Sequence, residues 1–419
     1  MKNKLVSIVI INYNGKAFLK NLFESIFKQN YKNIEIIFVD NNSKDESIKF
    51  IENEIFTKYD LKRITKIIKL NKNFGFAPAN NIAVKQAKGE YILFLNNDTT
   101  LTVNSISEMV KTLEKDFSYA GVTPKTYLSR YKPLQVFDSI GTCMDKNGSP
   151  YNRGIGQIDL GQYDKEEEVF GICFAVALVK KDIYVNSCGL DNSYFAYFED
   201  VDWCFRIRKM GYLFLTCPTS LVYHHHSGTS SKKSYSWKYY LIFRNYLRTV
   251  VKTFGKKNLC RVILIKIKDL IKASLNQKNN YELRKAMIKV VFNFFLKDMY
   301  IYLIKRINTR RNFIDNITDE YIFNFSKNEP SNFFDPVNYK LIINFDSIEF
   351  AVIKSYLINS NKKKKILEDW DKLKRFILYS KTDDKKNKII LFFNKYFSNY
   401  LNKASLNYIA NHLNKYNLP

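Results

Sequence analysis

The segment FAYFEDVDWCFR, residues 195–206, places three carboxylates within four positions. Glu199, Asp200 and Asp202 repel one another unless the fold offsets their charge. A helix that begins near Asp200 would do so, because the positive end of its dipole stabilises acidic groups in the first turn. Asp202 and Arg206 then lie four residues apart on one helical face, where we expect an ion pair.

That pairing leaves Glu199 and Asp200 at the mouth of the helix. The surrounding aromatic residues, which include Phe198 and Trp203, would limit solvation and raise the pKa of one carboxylate toward that of a general base. The alternative is an acidic helix start that only caps the helix. The segment by itself leaves both interpretations open.

Asp98 is a candidate metal ligand at the end of the apolar run YILFLNND, residues 91–98. Mg²⁺ takes few protein ligands, so one carboxylate can hold it when a diphosphate fills the remaining positions. The alternative role is that of a turn residue capping the next helix.

His224 opens a run of three histidines, residues 224–226. Because side chains alternate along a strand, one or two of the three could face a metal. An imidazole beside a carboxylate suits Mg²⁺ or Mn²⁺ better than a structural zinc site, which takes four ligands. The alternative is a solvated polar run at a strand end.

Strands and helices alternate in the part of the chain that must position these groups. Apolar β-branched runs predict strands at 5–12, 34–40, 65–70 and 91–98. Helical spacing predicts helices at 17–30, from a Ser43-x-x-Glu46 capping box to about 58, from Pro78 to 87, and at 103–116. This alternation is typical of a doubly wound, mainly parallel α/β sheet with helices on both faces. Further along, a strand is expected to end at Pro218.

Polar clusters follow all four of these strands: Asn12–Asn14, Asp40–Ser43, Asn71–Asn73 and Asn96–Asp98. Ligands bind at the carboxyl ends of the strands in such sheets, so four clusters on one edge favour a binding site over ordinary turns. The chain contains neither a dinucleotide-binding glycine fingerprint nor a P-loop motif.

The positive charge is concentrated in one part of the chain. Of the formal net charge of +27, residues 231–311 contribute +18, from 21 basic and 3 acidic side chains. Such a segment favours an anionic partner. The apolar stretches NLCRVILIKIKDLIKASL (258–275) and AMIKVVFNFFLKDMYIYLIKR (286–306) suit helices in a membrane interface, or helices whose basic side chains cover their own bundle.

Composition sets the remaining expectations. The six cysteines show no CxxC pair or cluster, which favours a reducing compartment over a disulfide framework. The basic N-terminus lacks a cleavage site, and no apolar run is long enough to cross a bilayer. We divide the chain into 1–230, 231–319 and 320–419. The third region is predicted to be helical and carries no functional assignment.

The ordered blocks of residues 5–230 resemble the family 2 glycosyltransferases of the GT-A fold. The blocks are VSIVIINYNG, IIFVDNNSKD, NKNFGFAPANN, GEYILFLNNDT, YFEDVDWCFRIRKMGY and VYHHHSGTS. Residues 138–171 additionally resemble the rhamnosyltransferase-like branch.

The resemblance implies a role for fourteen positions. Asp200 matches the catalytic base, and Asp98 and His224 match the ligands of Mg²⁺ or Mn²⁺. The metal motif departs from the family because Asn96 and Asn97 precede a single carboxylate, which implies weaker metal binding. The implied substrate-binding residues are Tyr13, Asn14, Asp40, Asn42, Asn73, Gly75, Phe76, Asn80, Asn97, Glu199 and Trp203.

The resemblance implies inverting transfer of rhamnose or another hexose from a dTDP- or UDP-linked donor to a saccharide or lipid-linked acceptor in cell-surface polysaccharide assembly. It also places the enzyme in the cytoplasm, peripherally on the inner face of the membrane. Two alternatives stay open. A sugar-phosphate nucleotidyltransferase would share the nucleotide and metal sites, and a nucleic-acid-binding protein would explain the charge but not the acidic edge. We expect no nucleic acid partner.

Overall fold

The apolar run at the start of the chain forms an inner strand of a ten-stranded sheet. Val6, Ile8 and Ile10 pack into the hydrophobic cluster on one face, and Val9 packs into the cluster on the other. A strand buried on both faces needs apolar side chains at successive positions, which explains why this run does not alternate. The computed structural model describes residues 4–145, 148–225, 234–276, 280–314, 317–325, 334–335, 340–341, 352, 363–379 and 384–413.

The strands as far as His224 are, in chain order, β1 (Val6–Asn12), β2 (Ile34–Asp40), β3 (Thr65–Lys69), β4 (Tyr91–Leu95), β5 (Thr99–Leu101), β6 (Tyr119–Leu128), β7 (Phe137–Ser139), β8 (Thr142–Met144), β9 (Pro150–Asn152), β10 (Glu168–Val169), β11 (Val176–Lys180) and β12 (Leu213–His224). The sheet runs β10-β12-β6-β11-β4-β1-β2-β3, with β5 on β12 and β7 on β6. Strands β8 and β9 form a separate hairpin. The pairs β1–β2, β2–β3, β1–β4 and β6–β12 are parallel, whereas β11 is antiparallel to β4 and β6.

The helices are α1 (Lys16–Phe27), α2 (Ser47–Phe50), α3 (Phe56–Lys58), α4 (Phe76–Gln86), α5 (Ser105–Leu113), α6 (Lys181–Asn186), α7 (Glu199–Lys209), α8 (Tyr235–Thr253), α9 (Lys256–Asn276), α10 (Tyr281–Asn293), α11 (Met299–Thr309), α12 (Asp319–Phe323), α13 (Lys363–Tyr379), α14 (Lys385–Phe397) and α15 (Lys403–Leu413). Buried residues of α1 and α5 pack on one face of the sheet, and those of α4, α6, α7 and α8 pack on the other. The predicted fold class, a mainly parallel α/β sheet with helices on both faces and a helical C-terminal region, is confirmed.

The predicted capping box at Ser43 is wrong. Helix α2 begins at Ser47, after Glu46, whose φ is +59°. The Ser43 hydroxyl instead accepts hydrogen bonds from the Asn12 side chain (3.1 Å) and the Asn14 backbone (3.0 Å). A tertiary contact with β1 therefore takes the oxygen that would otherwise cap the helix.

The predicted end of a strand at Pro218 is also wrong. Strand β12 continues to His224, and its pairing with β6 changes register between Cys217 and Leu221. A bulge of this kind accommodates a proline within a strand. The continuation matters, because it carries His224 to the edge of the sheet where the binding site was predicted.

The basic helices share the core of the sheet. Tyr246, Leu247 and Val250 of α8 and Val290 of α10 belong to the same buried cluster as Trp203 and Phe205 of α7. Helices α13 to α15 form a second core, which packs on Leu128, Val136 and other residues of the segment after β6. None of the helices in the described part of the chain combines the length and the apolar character needed to cross a membrane.

Candidate active site

A cavity of about 610 Å³ opens at the carboxyl ends of β1 and β4, beside the start of α7. Nine of the fourteen predicted site residues line it: Tyr13, Asn73, Gly75, Phe76, Asn97, Asp98, Glu199, Asp200 and His224. The three groups predicted to carry the chemistry, Asp98, His224 and Asp200, therefore share one cavity although they are far apart in sequence.

The polar clusters at the strand ends bind one another through side-chain amides. Asn97 donates a hydrogen bond to Asn12 (2.8 Å), and Asn12 donates to Asp40 (3.3 Å). Asn41 donates to the backbone carbonyl of Gly75 (3.0 Å) and accepts a hydrogen bond from the Phe74 backbone (2.9 Å). These bonds connect the loops after β1, β2, β3 and β4, so this side of the cavity is a single hydrogen-bonded edge.

Gly75 brings this edge against the segment before α7. Its φ is +91°, and a Cβ atom at this position would lie 2.3 Å from the carbonyl oxygen of Phe195. That same oxygen accepts a hydrogen bond from the Phe76 backbone (2.6 Å). Only glycine permits this approach, which fixes the start of α4 to the wall that carries the catalytic candidates.

Five of the predicted site residues do not line the cavity. Asp40 and Asn80 are buried, and each bonds to nearby groups within its own turn or helix. Asn14 and Asn42 lie in the loops beside Lys44 and hydrogen-bond to it, at 2.7 and 3.0 Å. Trp203 is fully buried in the core, where its indole N–H donates to Ser187 (2.9 Å), and this correction follows from its inward position on α7.

Asp98 and His224 are brought together by the short ladder between β5 and β12. Thr99 pairs with His224 in this ladder, and the His225 backbone N–H donates to the carbonyl of Asp98 (2.9 Å). The Oδ1 atom of Asp98 then lies 3.1 Å from Nε2 of His224. His226, the third histidine of the run, lies outside the described residues.

Asp138 in β7 was not predicted. It contacts the imidazole of His224 at the nitrogen that Asp98 does not contact. Its Oδ2 atom lies 2.6 Å from Nδ1 of His224, and all three side chains are buried. Burial opposes protonation of the imidazole, but the two flanking carboxylates outweigh it and raise the pKa of His224 to about 10. A cation at Nε2 would replace that proton, while the carboxylate of Asp138 holds the ring in one orientation.

The donor atoms at this position fit Mg²⁺ or Mn²⁺. A carboxylate oxygen and an imidazole nitrogen are ligands that both ions accept, and the second carboxylate behind the ring is typical of metal-bound histidine. No group of three or more His, Cys, Asp or Glu side chains placed to hold a metal occurs among the described residues. The protein part of the predicted site is thus the pair Asp98 and His224.

Asp200 occupies the first turn of α7, as predicted, with Glu199 and Asp202 beside it. Burial raises the pKa of the Asp200 carboxyl, although backbone N–H groups of Val201 and Phe174 donate to it and oppose the shift. Burial and the neighbouring charge of Asp200 raise the pKa of Glu199 well above its ordinary value. The structure thus has one carboxylate held by hydrogen bonds next to one that favours its neutral form.

Asp202 does not face the cavity but pairs with Arg206 (3.0 Å), as predicted. It also lies 2.7 Å from the ammonium of Lys252 in α8. Lys252 in turn binds Asp191 (2.9 Å), which Lys305 of α11 also binds (2.9 Å). These ion pairs connect α7 and the segment before it to the basic helices that follow the sheet.

The backbone just before α7 is strained. Tyr197 and Phe198 have φ values of +68° and +70°, which aromatic residues rarely adopt. The buried Asn245 of α8 holds this segment by donating to the carbonyls of Ala196 (3.0 Å) and Tyr197 (2.7 Å). Trp237, also from α8, packs edge-on against the rings of Phe195 and Tyr197 and lines the cavity.

Sequence reasoning missed two contributions to the cavity. Asp138, Thr142 and Tyr151 come from the irregular segment between β6 and β11, and Trp237 and Ile242 come from the basic region. The only sequence signal for Asp138 is its place at the start of the block 138–171. That block resembles the rhamnosyltransferase-like branch, but the resemblance gives Asp138 no role.

Residues 7–184 match the family model described as glycosyl transferase family 2. The chain is 40% identical over 120 residues to the UDP-Glc:alpha-D-GlcNAc-diphosphoundecaprenol beta-1,3-glucosyltransferase WfaP of Escherichia coli. The aligned residues make up 28% of this chain and 45% of that one. An uncharacterised glycosyltransferase of Haemophilus influenzae is 34% identical over 110 residues, 26% of this chain and 42% of that one. The matched segment spans less than half the length of either relative.

A longer alignment, of 252 residues, joins the chain to the low-salt glycan biosynthesis hexosyltransferase Agl10 of Haloferax volcanii, with 23% identity over 57% of this chain and 73% of that one. Among solved structures, GalNAc-T7 with UDP, GalNAc and Mn²⁺ superposes with a TM-score of 0.49 and 17% identity, covering 71% of this chain and 57% of that one. A likeness of that extent says nothing about the chemistry of this chain.

Proposed function

We propose that this chain, whose residues 7–184 match glycosyl transferase family 2, transfers a hexose from a nucleoside-diphosphate sugar to a hydroxyl of a saccharide or lipid-linked saccharide. The observation that carries the proposal is the shared cavity, which brings Asp98, His224 and Asp200 together from three distant segments. WfaP is named as a glucosyltransferase and Agl10 as a hexosyltransferase of glycan biosynthesis, which supports the same reaction class here.

In this proposal the donor lies along the hydrogen-bonded edge. Tyr13, Asn73, Gly75, Phe76 and Asn97 line that side of the cavity and would contact the nucleotide and the sugar. Asp98 and Nε2 of His224 would hold Mg²⁺ or Mn²⁺, with Asp138 fixing the imidazole. The bound cation would neutralise charge on the leaving diphosphate.

Asp200 would act as the general base. Its raised pKa brings the carboxyl closer to the operating pH, which favours proton transfer from an acceptor hydroxyl. The oxygen of that hydroxyl forms a bond to the anomeric carbon as the bond to the diphosphate breaks, so a single displacement inverts the configuration. Glu199, in its neutral form, would donate a hydrogen bond to the acceptor.

Rhamnose, a dTDP- or UDP-linked donor, and a role in cell-surface polysaccharide assembly belong to this proposal. So does a peripheral location on the inner face of the membrane. A sugar-phosphate nucleotidyltransferase is the alternative that would use the same nucleotide and metal positions, but it would release pyrophosphate where a glycosyltransferase releases a nucleoside diphosphate.

A panel of nucleotide-sugars tests the proposal directly. The protein is incubated with each donor and Mn²⁺, and the released product is identified by chromatography. We expect one donor to yield nucleoside diphosphate, with turnover at least 100-fold lower in Asp200→Asn and donor binding retained. Release of pyrophosphate, or full turnover by Asp200→Asn, would contradict the assignment.

A further inference from the structure

Helices α10 and α11 form one helical rod, because the π-helical turn Phe294–Asp298 joins them without a break. The inner face of the rod is buried through Leu283, Met287, Val290, Phe294 and Tyr302, which follow one another at three, four or eight positions. This face packs on α8 and belongs to the main core cluster. The rod is therefore fixed to the body of the protein along one side.

The outer face of the rod carries a row of exposed apolar side chains, which we name the apolar stripe. Its members repeat at four or three positions and are each between 50% and 69% exposed: Ile288, Phe292, Leu296, Tyr300, Ile304 and Ile307. At 1.5 Å per residue, the stripe is about 30 Å long. It is much larger than the scattered apolar residues that a protein surface normally shows.

Exposed apolar side chains are concentrated in this part of the protein. Thirteen of the twenty-two large apolar side chains that are exposed among the described residues lie between Leu264 and Ile307, on α9 and the rod. These side chains are exposed with the neighbouring basic side chains in place, so the basic side chains do not cover the stripe. This observation favours the first of the two interpretations of the basic helices, since a bundle that covered itself would hide these groups.

Positive charge borders the stripe. Lys285, Lys289 and Lys297 are exposed on the rod, and the rod contains only two acidic residues, Glu282 and Asp298. Asp298 is buried and paired with Arg248 (2.7 Å), so it contributes little negative charge to the surface. An apolar row with basic borders is the pattern of a helix that lies in the interface of an anionic membrane.

We propose that the apolar stripe and its bordering lysines dock this protein onto the surface of an anionic lipid bilayer. The apolar side chains would enter the boundary between headgroups and acyl chains, with the lysines at the level of the phosphates. A second copy of the chain fits the surface less well, because two segments of net charge +18 would face each other. Nucleic acid would leave the apolar side chains exposed.

The inner face of the rod links this surface to the cavity. Lys305 binds Asp191 (2.9 Å) in the segment that leads to α7, and Tyr302 packs near Tyr194. Helix α8 lies between the rod and α7, and its Trp237 lines the cavity. If the proposed function holds, on which this step alone rests, docking would present the cavity to an acceptor embedded in the same lipid surface.

Vesicle flotation tests the surface without relying on activity. The full-length protein is mixed with vesicles of equal parts phosphatidylcholine and phosphatidylglycerol, or with phosphatidylcholine alone. We expect flotation with the anionic vesicles only, and weaker flotation at high salt. The triple variant Phe292→Ser, Leu296→Ser, Tyr300→Ser should bind at least tenfold more weakly. A second triple variant replaces the bordering lysines: Lys285→Gln, Lys289→Gln, Lys297→Gln. Its affinity for anionic vesicles should fall about fivefold for each lysine replaced.

The matched control changes three exposed apolar residues of the catalytic region. Val103, Phe117 and Val185 are 55%, 95% and 53% exposed, and their triple serine variant should float like the wild type. Circular dichroism melting checks that each variant folds. Wild-type flotation by the stripe variant would overturn the proposal, as would a stripe-dependent dimer in sedimentation that excludes lipid.

The same variants separate this inference from the proposed function. The stripe variant should keep wild-type release of nucleoside diphosphate from a soluble donor, because the stripe does not line the cavity. Flotation without any nucleotide-sugar turnover would retain the docking surface and reject the enzyme. Turnover without flotation would retain the enzyme and reject the docking surface.

Discussion

At the scale of single residues, the site depends on what surrounds three carboxylates. Asp98 and Asp138 flank His224 on its two nitrogens, whereas Asp200 is held by backbone N–H groups. All three line the same cavity, but the groups around each of them differ. Two substitutions test these surroundings separately.

Asp138→Asn should weaken metal binding by about 10- to 100-fold, because the neutral amide no longer orients the imidazole or increases its basicity. Mn²⁺ affinity can be measured by electron paramagnetic resonance, with a nucleoside diphosphate present. Asp159→Asn is the control, since Asp159 is buried in the same segment but binds Lys125 (2.8 Å). An equal loss in both variants would show that Asp138 acts through the stability of the segment.

Glu199→Gln should change the pH dependence of stability. The folded-state pKa of Glu199 is raised, so the folded chain retains a proton that the unfolded chain releases, and stability falls as the pH rises above about 4.5. Glutamine stays neutral, so the variant should gain stability relative to wild type between pH 5 and pH 8. Urea unfolding at both pH values measures this. Glu54→Gln, at an exposed position, should show no such trend.

At the scale of elements, α8 positions the strained segment before α7. Asn245 is fully buried and its amide bonds to two successive carbonyls, which compensates for the unfavourable φ values of Tyr197 and Phe198. The hydrogen-bonded edge after β1 to β4 is held independently by the amides of the strand ends. The two sides of the cavity therefore have separate supports.

Asn245→Ala should lower turnover by at least tenfold and leave donor affinity nearly unchanged, because it releases only the side that carries Asp200. Steady-state kinetics with separate donor titration by calorimetry measures the two effects. Asn293→Ala is the control, since Asn293 donates to Tyr240 within the basic helices (2.9 Å). Equal losses of donor affinity and turnover in Asn245→Ala would argue against separate supports.

Local patterns predicted most of the elements, because β-branched runs and helical spacing act within a few residues. The sharing of one cavity by Asp98, His224 and Asp200 was implied only by the resemblance to a known family. The local patterns failed where a distant contact intervened. The Ser43 hydroxyl binds β1 and caps no helix, and Asp138 meets His224 across 86 positions of the chain. The site roles themselves remain predictions.

At the scale of the whole molecule, the change in charge along the sequence does not mark the edge of a hydrophobic core. The charge changes near residue 231, yet α8 to α11 complete the cluster that covers α7. Helices α13 to α15 pack instead on the segment that includes Val136, two residues before Asp138. Each helical region thus supports a different wall of the cavity.

The ion pairs that join α7 and the segment before it to the basic helices have a consequence for dissecting this protein. Asp191 and Asp202 lie in the sheet-bearing half, and their partners Lys252 and Lys305 lie beyond the change in charge. A fragment that stopped at residue 230 would keep both acids but lose both ammonium groups. It would also lose Asn245 and Trp237, so the smallest fragment expected to keep the cavity intact extends at least through the rod.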